Sequence, residues 1–140
     1  MVVLNDEEKE IEKKKRLEVM KSLVLKILKD IRDPETGMNL VDSGLIRADF
    51  VSIDENEKNI DISWIPTTPF CPLILHISAV IRYILVKHFK DWKVKVKLHP
   101  DVIGSDMWNE KLKNESLLES ILNEIKERGW MQYFYSGDIE

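Results

Sequence analysis

The stretch from residue 60 to residue 98 constrains the fold most, because it places a helix between two strand patterns. Residues 60–65 and 92–98 both alternate apolar with polar side chains, which is typical of half-buried strands. Residues 72–89 predict a helix that is apolar on nearly all sides, so two partners should bury it: the sheet, and another helix or subunit. A strand, a helix and a strand in this order predict a right-handed βαβ crossover with parallel strands.

Upstream of this unit, the pattern predicts one long helix and one more strand. Residues 6–31 are predicted to be helical, with a first half that is almost entirely charged and a second half with one apolar face. Pro34 disfavours helical backbone at the residue before it, so this helix should end close to the proline. Residues 45–53 are predicted to form a strand, joined to the next strand by the polar turn 54–58.

Downstream, two more helices are predicted. Ser105 or Asp106 should cap a short helix, because short polar side chains satisfy the free N–H groups at a helix start. Residues 116–128 carry an apolar face and should form a last helix that stops at Gly129, followed by an aromatic tail. The predicted element order is α-β-β-α-β-α-α.

Composition and charge exclude several classes of protein. The 140 residues are 44% hydrophobic and 33% charged, which is typical of a globular chain. The net charge of −4 provides no basic face for nucleic acid. The longest apolar stretch, 73–86, is too short and too polar to span a bilayer. The charged N-terminal residues predict no signal peptide, and a single cysteine cannot form an internal disulfide, so we expect a cytoplasmic protein.

The segment 66–72 contains three prolines and the one cysteine, Cys71. If Pro72 is the first helical residue, Cys71 is the N-cap, where free N–H groups and the helix dipole stabilise a thiolate and lower its pKa. Thr67 and Thr68 add hydroxyl groups nearby, and ligands often bind at strand-to-helix loops of open α/β sheets. The alternative is that Cys71 is simply a small buried side chain.

The loop after the first helix carries a second group of candidates: Asp33, Glu35 and Asp42. One interpretation is that these carboxylates form turns, which is favoured for Glu35. The other is that they lie near Cys71 and handle protons or face a metal. The sequence does not place them together without a fold.

The three histidines and the alternating lysines favour structural interpretations. No spacing of His76, His88 or His99 with the cysteine fits a zinc site, which needs about four ligands. His76 is the only histidine near Cys71 in sequence. The lysines of residues 93–97 are either the solvated face of a strand or a surface for a partner.

Three sequence blocks in order resemble a known family. They are residues 33–35 (Asp-Pro-Glu), 39–46 (Asn-Leu-Val-Asp-Ser-Gly-Leu-Ile) and 67–72 (Thr-Thr-Pro-Phe-Cys-Pro). With their spacing they are similar to the iron–sulfur cluster assembly protein family, which includes SufT-like, PaaD-like and eukaryotic cytosolic targeting-complex members and was long called a domain of unknown function. The resemblance covers about residues 20–110.

The resemblance implies a small α+β domain with a mixed three-stranded sheet. It implies a factor that matures iron–sulfur proteins rather than a turnover enzyme. Cys71 would be the functional residue, with Asp33, Asp42, Thr67 and Thr68 gathered round it. We therefore expect a charged helical extension over 1–20, an assembly-like domain over 21–113, and a C-terminal helix and aromatic tail over 114–140 packed on the same domain.

One cysteine cannot hold an iron–sulfur cluster alone, because a cluster usually needs about four protein ligands. We therefore expect cluster contact through Cys71 to be transient, or shared with a second subunit or a client. The expected partners are apo iron–sulfur client proteins or other assembly factors, and the apolar helix makes a homodimer plausible. The alternatives are a thiol-independent adaptor or accessory subunit of an iron–sulfur enzyme, and a cysteine-nucleophile enzyme, which would need a histidine beside the sulfur.

Overall fold

A computed structural model of the protein describes residue 3 and residues 5–137. Its elements confirm the predicted order and a small α+β domain, with one short helix added at the C-terminus. Their bounds are α1 Asp6–Leu28, β1 Val51–Asp54, β2 Asn59–Trp64, α2 Ile74–His88, β3 Lys93–Leu98, α3 Ser105–Leu112, α4 Glu115–Glu127 and α5 Met131–Phe134, with a 3-10 turn at Ala48–Phe50.

The three strands form one mixed sheet in the order β1-β2-β3. β1 runs antiparallel to β2, while β3 runs parallel to β2, which confirms both the mixed sheet and the parallel strands of the crossover. Side chains alternate between the two faces of a strand. One face of β2 and β3 is therefore buried, whereas the lysines of β3 are exposed on the other. The buried residues of that face are Ile60, Ile62, Trp64, Val94, Val96 and Leu98.

Helix α2 is the centre of the core, as its apolar sequence predicts. It packs against β3 on one side and α4 on the other, and α1 also contacts it. A hydrogen bond joins α2 to the sheet within the core, because the indole Nε1 of Trp64 donates to the hydroxyl of Ser78 at 3.0 Å. The helix therefore ties the layers of the domain together.

The C-terminal tail, residues 130–136, folds back onto the end of α1. The N–H of Arg32 donates to the carbonyl of Phe134 at 2.8 Å, and the N–H of Ser136 donates to the carbonyl of Asp30 at 2.8 Å. Phe134 also stacks against His76 of α2, with ring centroids 6.3 Å apart. The tail therefore contacts both α2 and the start of the loop that follows α1.

Two predicted boundaries in the N-terminal half are wrong. α1 ends at Leu28 instead of residue 31. Asp30 N–H and Ile31 N–H donate to the carbonyls three residues earlier, and Ile31 and Arg32 then form β-bridges with Tyr135 and Asn39. The predicted strand 45–53 is strand only in its last part, because a 3-10 turn closed by Phe50 N–H and Arg47 C=O occupies residues 48–50.

The start of α3 also differs from its prediction, while the end of α4 agrees. Gly104 is the N-cap of α3 with a left-handed φ of 79°, so neither Ser105 nor Asp106 caps this helix. Positive φ is accessible to glycine at little cost, which explains why the chain turns into the helix there. After α4, Gly129 adopts a φ of 70° and ends the helix as predicted.

Candidate functional site

The Cys71 loop, residues 65–73, begins at the edge of the sheet where β2 and β3 end. Around that point Ile65 N–H donates to Leu45 C=O, and His99 N–H donates to Trp64 C=O. These bonds tie the start of the loop to the loops that precede β1 and follow β3. As parallel strands end at the same edge, the Cys71 loop lies beside the loop after β3.

Within the Cys71 loop, a tight turn directs neighbouring side chains in opposite directions. Thr68 Oγ1 accepts from Phe70 N–H at 3.0 Å, and Thr68 C=O accepts from Cys71 N–H at 3.1 Å. Cys71 is only 1% exposed, while Phe70 is 84% exposed. Thr67 and Thr68 are exposed as well. The loop therefore presents an aromatic ring and two threonines to solvent, with the thiol beneath them.

The prediction that Cys71 caps α2 is wrong. The helix begins at Ile74, and its N-cap residue is Leu73. Cys71 lies one turn earlier, where its carbonyl accepts from Ile74 N–H at 3.4 Å. A backbone N–H still reaches the sulfur, that of Leu73. A single turn, closed by the hydrogen bond from Ile74 N–H to Cys71 C=O, therefore lies between Cys71 and the first residue of α2.

The predicted lowering of the Cys71 pKa is also wrong. Burial of the thiol raises its pKa most strongly, the hydrogen bond from Leu73 N–H lowers it, and the charges of Glu35 and Asp33 raise it further; the net shift is upward. The desolvation cost of a thiolate outweighs a single N–H donor. The structure shows that the thiol of Cys71 is buried, and with its pKa raised it is protonated at neutral pH.

Two acidic residues lie within electrostatic reach of the thiol. Asp33 is 1% exposed, and its Oδ1 accepts from the N–H of Glu35 at 2.9 Å. Gly37 N–H donates to Asp33 C=O at 2.8 Å, so the start of the acidic loop (residues 33–44) is a compact turn. Both charges raise the pKa of Cys71. The fold therefore brings Asp33 and Glu35 towards Cys71, while Glu35 also takes part in the turn.

Asp42 belongs to a different cluster. Its Oδ2 accepts from the side-chain amide of Asn39 at 2.8 Å, and its Oδ1 lies 3.7 Å from Lys29 Nζ. It is exposed, and it is not among the groups that shift the pKa of Cys71. The structure therefore places Asp42 in the same loop as Asp33 but pairs it with Lys29, directly after α1, and with its own turn.

The histidines have neighbours other than the thiol. His76 stacks on Phe134, His88 Nδ1 lies 2.9 Å from Ile84 C=O, and His99 Nδ1 lies 3.6 Å from Asp101. No histidine is among the groups that shift the pKa of Cys71. In the described part of the chain, no three His, Cys, Asp or Glu side chains are grouped closely enough to hold a metal ion.

The comparison with protein families decides the identity of this domain. A family model described as "Iron-sulfur cluster assembly protein" matches residues 21–98, more than half of the chain. The chain belongs to the iron–sulfur cluster assembly protein family. The matched region contains the acidic loop, the Cys71 loop and all three strands, and it ends with β3. The predicted family resemblance is confirmed, and α3, α4 and the C-terminal tail lie outside the match.

Similar proteins occur in archaea, animals and plants. An uncharacterized protein of Methanocaldococcus jannaschii is 34% identical over 97 residues, which cover 69% of this chain and 98% of that protein. The MIP18 family protein galla-2 of Drosophila melanogaster is 26% identical over 85 residues, 60% of this chain and 54% of that one. Protein AE7-like 2 of Arabidopsis thaliana is 32% identical over 75 residues, 52% and 50% of the two chains. The chain thus spans nearly all of the archaeal relative and about half of the other two.

A solved structure shares the fold. The crystal structure of a domain of unknown function, DUF59, from Bacillus anthracis superposes with a TM-score of 0.54 at 24% identity, covering 60% of this chain and 77% of that one. This likeness supports the α+β architecture. Among the residues that the structure describes, no helix is long and apolar enough to cross a membrane.

Proposed function

We propose that this protein assembles or delivers iron–sulfur clusters and so matures client proteins. The observation that supports the proposal is the family match over residues 21–98, a segment in which the charges of Asp33 and Glu35 raise the pKa of Cys71. The family is of the assembly-factor type rather than the catalytic type. The proposed partners are apo iron–sulfur client proteins or other assembly factors, and the proposed location is the cytoplasm.

In this proposal the cluster is cargo, and Cys71 supplies one ligand to it during transfer. Since a cluster usually takes about four protein ligands, the others come from the client or from a second subunit. The buried, protonated thiol is the resting state, and opening of the Cys71 loop exposes it. Exposure removes the largest cause of its raised pKa, and binding of the sulfur to iron then displaces the thiol proton.

The direct test is cluster transfer with and without the thiol. Wild type and Cys71→Ser are reconstituted anaerobically with iron and sulfide, then mixed with a [4Fe–4S] apo-enzyme whose activity reports cluster insertion. We expect labile cluster binding by wild type, and transfer at least about tenfold slower with Cys71→Ser, because the transient ligand is gone.

A matched control keeps the number of thiols constant. The double variant Cys71→Ser, Ser116→Cys has one cysteine, placed on the exposed first turn of α4. It should transfer clusters as poorly as Cys71→Ser. Equal transfer by wild type and Cys71→Ser would contradict the role of the thiol.

The burial of Cys71 favours one second candidate, a thiol-independent adaptor or accessory subunit that binds an iron–sulfur enzyme. In that case the exposed ring of Phe70, not the sulfur, would contact the partner. Phe70→Ser would then weaken client maturation while Cys71→Ser would leave it unchanged. The cysteine-nucleophile enzyme would need a histidine beside the sulfur. In the described structure His76 stacks on Phe134, His88 contacts Ile84 and His99 contacts Asp101.

A further inference from the structure

The outer edge of β3 carries backbone groups that point away from the sheet. Lys93 N–H donates to Lys58 C=O and His99 N–H donates to Trp64 C=O, so the odd-numbered residues of this stretch face β2. Backbone direction alternates along a strand, and the N–H and C=O groups of Val94, Val96 and Leu98 therefore face outwards.

Only the end of this edge is closed. The side-chain amide of Asn109 in α3 accepts from Leu98 N–H at 2.8 Å and reaches Leu98 C=O at 3.3 Å, which imitates the pairing of a neighbouring strand. Among the described residues, no hydrogen-bond partner occupies the outward groups of Val94 and Val96. We call these two residues the open edge of β3.

A groove of about 700 Å³ runs along the open edge. Val94 and Val96 line one wall, while Leu112 and Leu118 of the following helices contribute apolar side chains to another. Its volume lies within the range of about 300–1,000 Å³ that is typical of ligand sites. Charged side chains of both signs also line the groove, among them Lys95, Lys97, Asp61 and Asp106.

The charges at the rim select what can pair with this edge. Lys93, Lys95 and Lys97 are exposed on one face of β3, and none of them lies within ion-pair distance of a carboxylate in the described residues. Four acidic residues also line the groove. Glu110 is paired with Lys113 at 3.0 Å and Glu115 with Arg82 at 3.6 Å, while Asp61 is the neighbour of Lys95 in the register of β2 and β3. A strand added to the edge would place every second side chain opposite these lysines, where acidic residues stabilise the pair.

We propose that the open edge of β3 binds an extended segment of a partner protein in which acidic and apolar residues alternate. The backbone of that segment would pair with Val94 and Val96 as a fourth strand. Its acidic side chains would face the three lysines and its apolar side chains the groove. A second copy of β3 does not fit, because antiparallel pairing with itself would oppose lysine to lysine. The proposal does not depend on Cys71.

The test uses a defined peptide, acetyl-Glu-Val-Glu-Val-Glu-Val-amide, and the full chain. Binding is measured by calorimetry and by NMR hydrogen exchange. We expect saturable binding and slower exchange of the Val94 and Val96 amides, because they become hydrogen-bonded. The double variant Lys95→Glu, Lys97→Glu should bind this peptide at least about tenfold more weakly, because attraction between lysine and glutamate becomes repulsion between glutamates. It should instead bind the peptide in which lysine replaces each glutamate.

A matched double variant, Lys9→Glu with Lys14→Glu, changes the net charge equally on the distant half of α1 and should bind as wild type does. Cys71→Ser should also bind normally, so failure of this proposal and failure of the proposed function can be told apart. Equal binding by the Lys95/Lys97 variant, or unchanged amide exchange at Val94 and Val96, would overturn the proposal. Slow hydrogen exchange of these amides in a dimer formed without peptide would also overturn the proposal, because a second copy of the chain would then occupy the open edge.

Discussion

The chemistry of Cys71 depends on a competition between two effects at one atom. The N–H of Leu73 favours the thiolate, while burial and the charges of Glu35 and Asp33 favour the thiol. Burial has the largest effect, so the resting sulfur is protected from oxidants and electrophiles. In the proposed function, this protection is released only when the Cys71 loop opens.

A raised thiol pKa has a consequence for stability at alkaline pH. The folded state keeps the Cys71 proton in a pH range where the unfolded chain has lost it. This contribution to stability is complete below the pKa of an unfolded cysteine, about 8.5, and is lost as the pH rises through the folded pKa. We expect the free energy of unfolding of wild type to fall, relative to that of Cys71→Ala, by up to about 1.4 kcal/mol per pH unit in that window.

The measurement is urea unfolding of both proteins between pH 7 and pH 11, under reducing conditions. Glu127→Gln, an exposed change on α4, serves as the control and should follow wild type. Parallel pH curves for wild type and Cys71→Ala would show that the pKa of the folded thiol is not raised.

At the scale of elements, a buried side-chain hydrogen bond joins β2 to α2. Trp64 is fully buried, and its indole N–H has the Ser78 hydroxyl as partner at 3.0 Å. Removing only the acceptor leaves a buried donor unpaired, which costs more than the net value of the bond. This hydrogen bond also holds α2 against the end of β2, where the Cys71 loop begins.

Ser78→Ala should therefore lower the free energy of unfolding by about 1–3 kcal/mol. Chemical denaturation followed by circular dichroism measures the change. Ser116→Ala, at an exposed position of α4, should stay within about 0.5 kcal/mol of wild type. A Ser78→Ala protein as stable as the Ser116→Ala control would mean that the indole finds another partner or water.

At the scale of the whole molecule, the C-terminal tail joins distant parts of the chain. Phe134 is buried against His76 of α2, and its carbonyl holds the N–H of Arg32, next to Asp33. The tail lies beyond residue 98, where the family match ends. The tail therefore contacts the acidic loop of the matched domain from outside the matched residues.

Phe134→Ala should destabilise the protein by about 3–5 kcal/mol, because a large buried ring is replaced by a cavity. Tyr133→Ala, at a position that is 54% exposed, is the matched aromatic control and should cost much less. Thermal and urea unfolding give both values. If the two variants are equally stable, the tail is not part of the folded core.

Much of the architecture could be predicted from local patterns. Three features depend only on residues close in sequence: the alternation of β3, the apolar surface of α2 and the glycine that ends α4. Periodicity and backbone preference were therefore sufficient to predict them. The three sequence blocks led to the correct family for a similar reason, since each block is short and continuous. The start of α2 could not be predicted, because the turn at Cys71 competes with the helix for the same residues.

The sequence by itself determined the element order, the mixed sheet and the family. Only the tertiary structure decided the state of Cys71, because desolvation sums over atoms from segments far apart in the chain. It also decided that Asp33 and Glu35, but not Asp42, act on the thiol, and that Phe134 braces their loop. The open edge of β3 is a tertiary property too, since Asn109 of α3 closes one end of the strand and leaves the rest free.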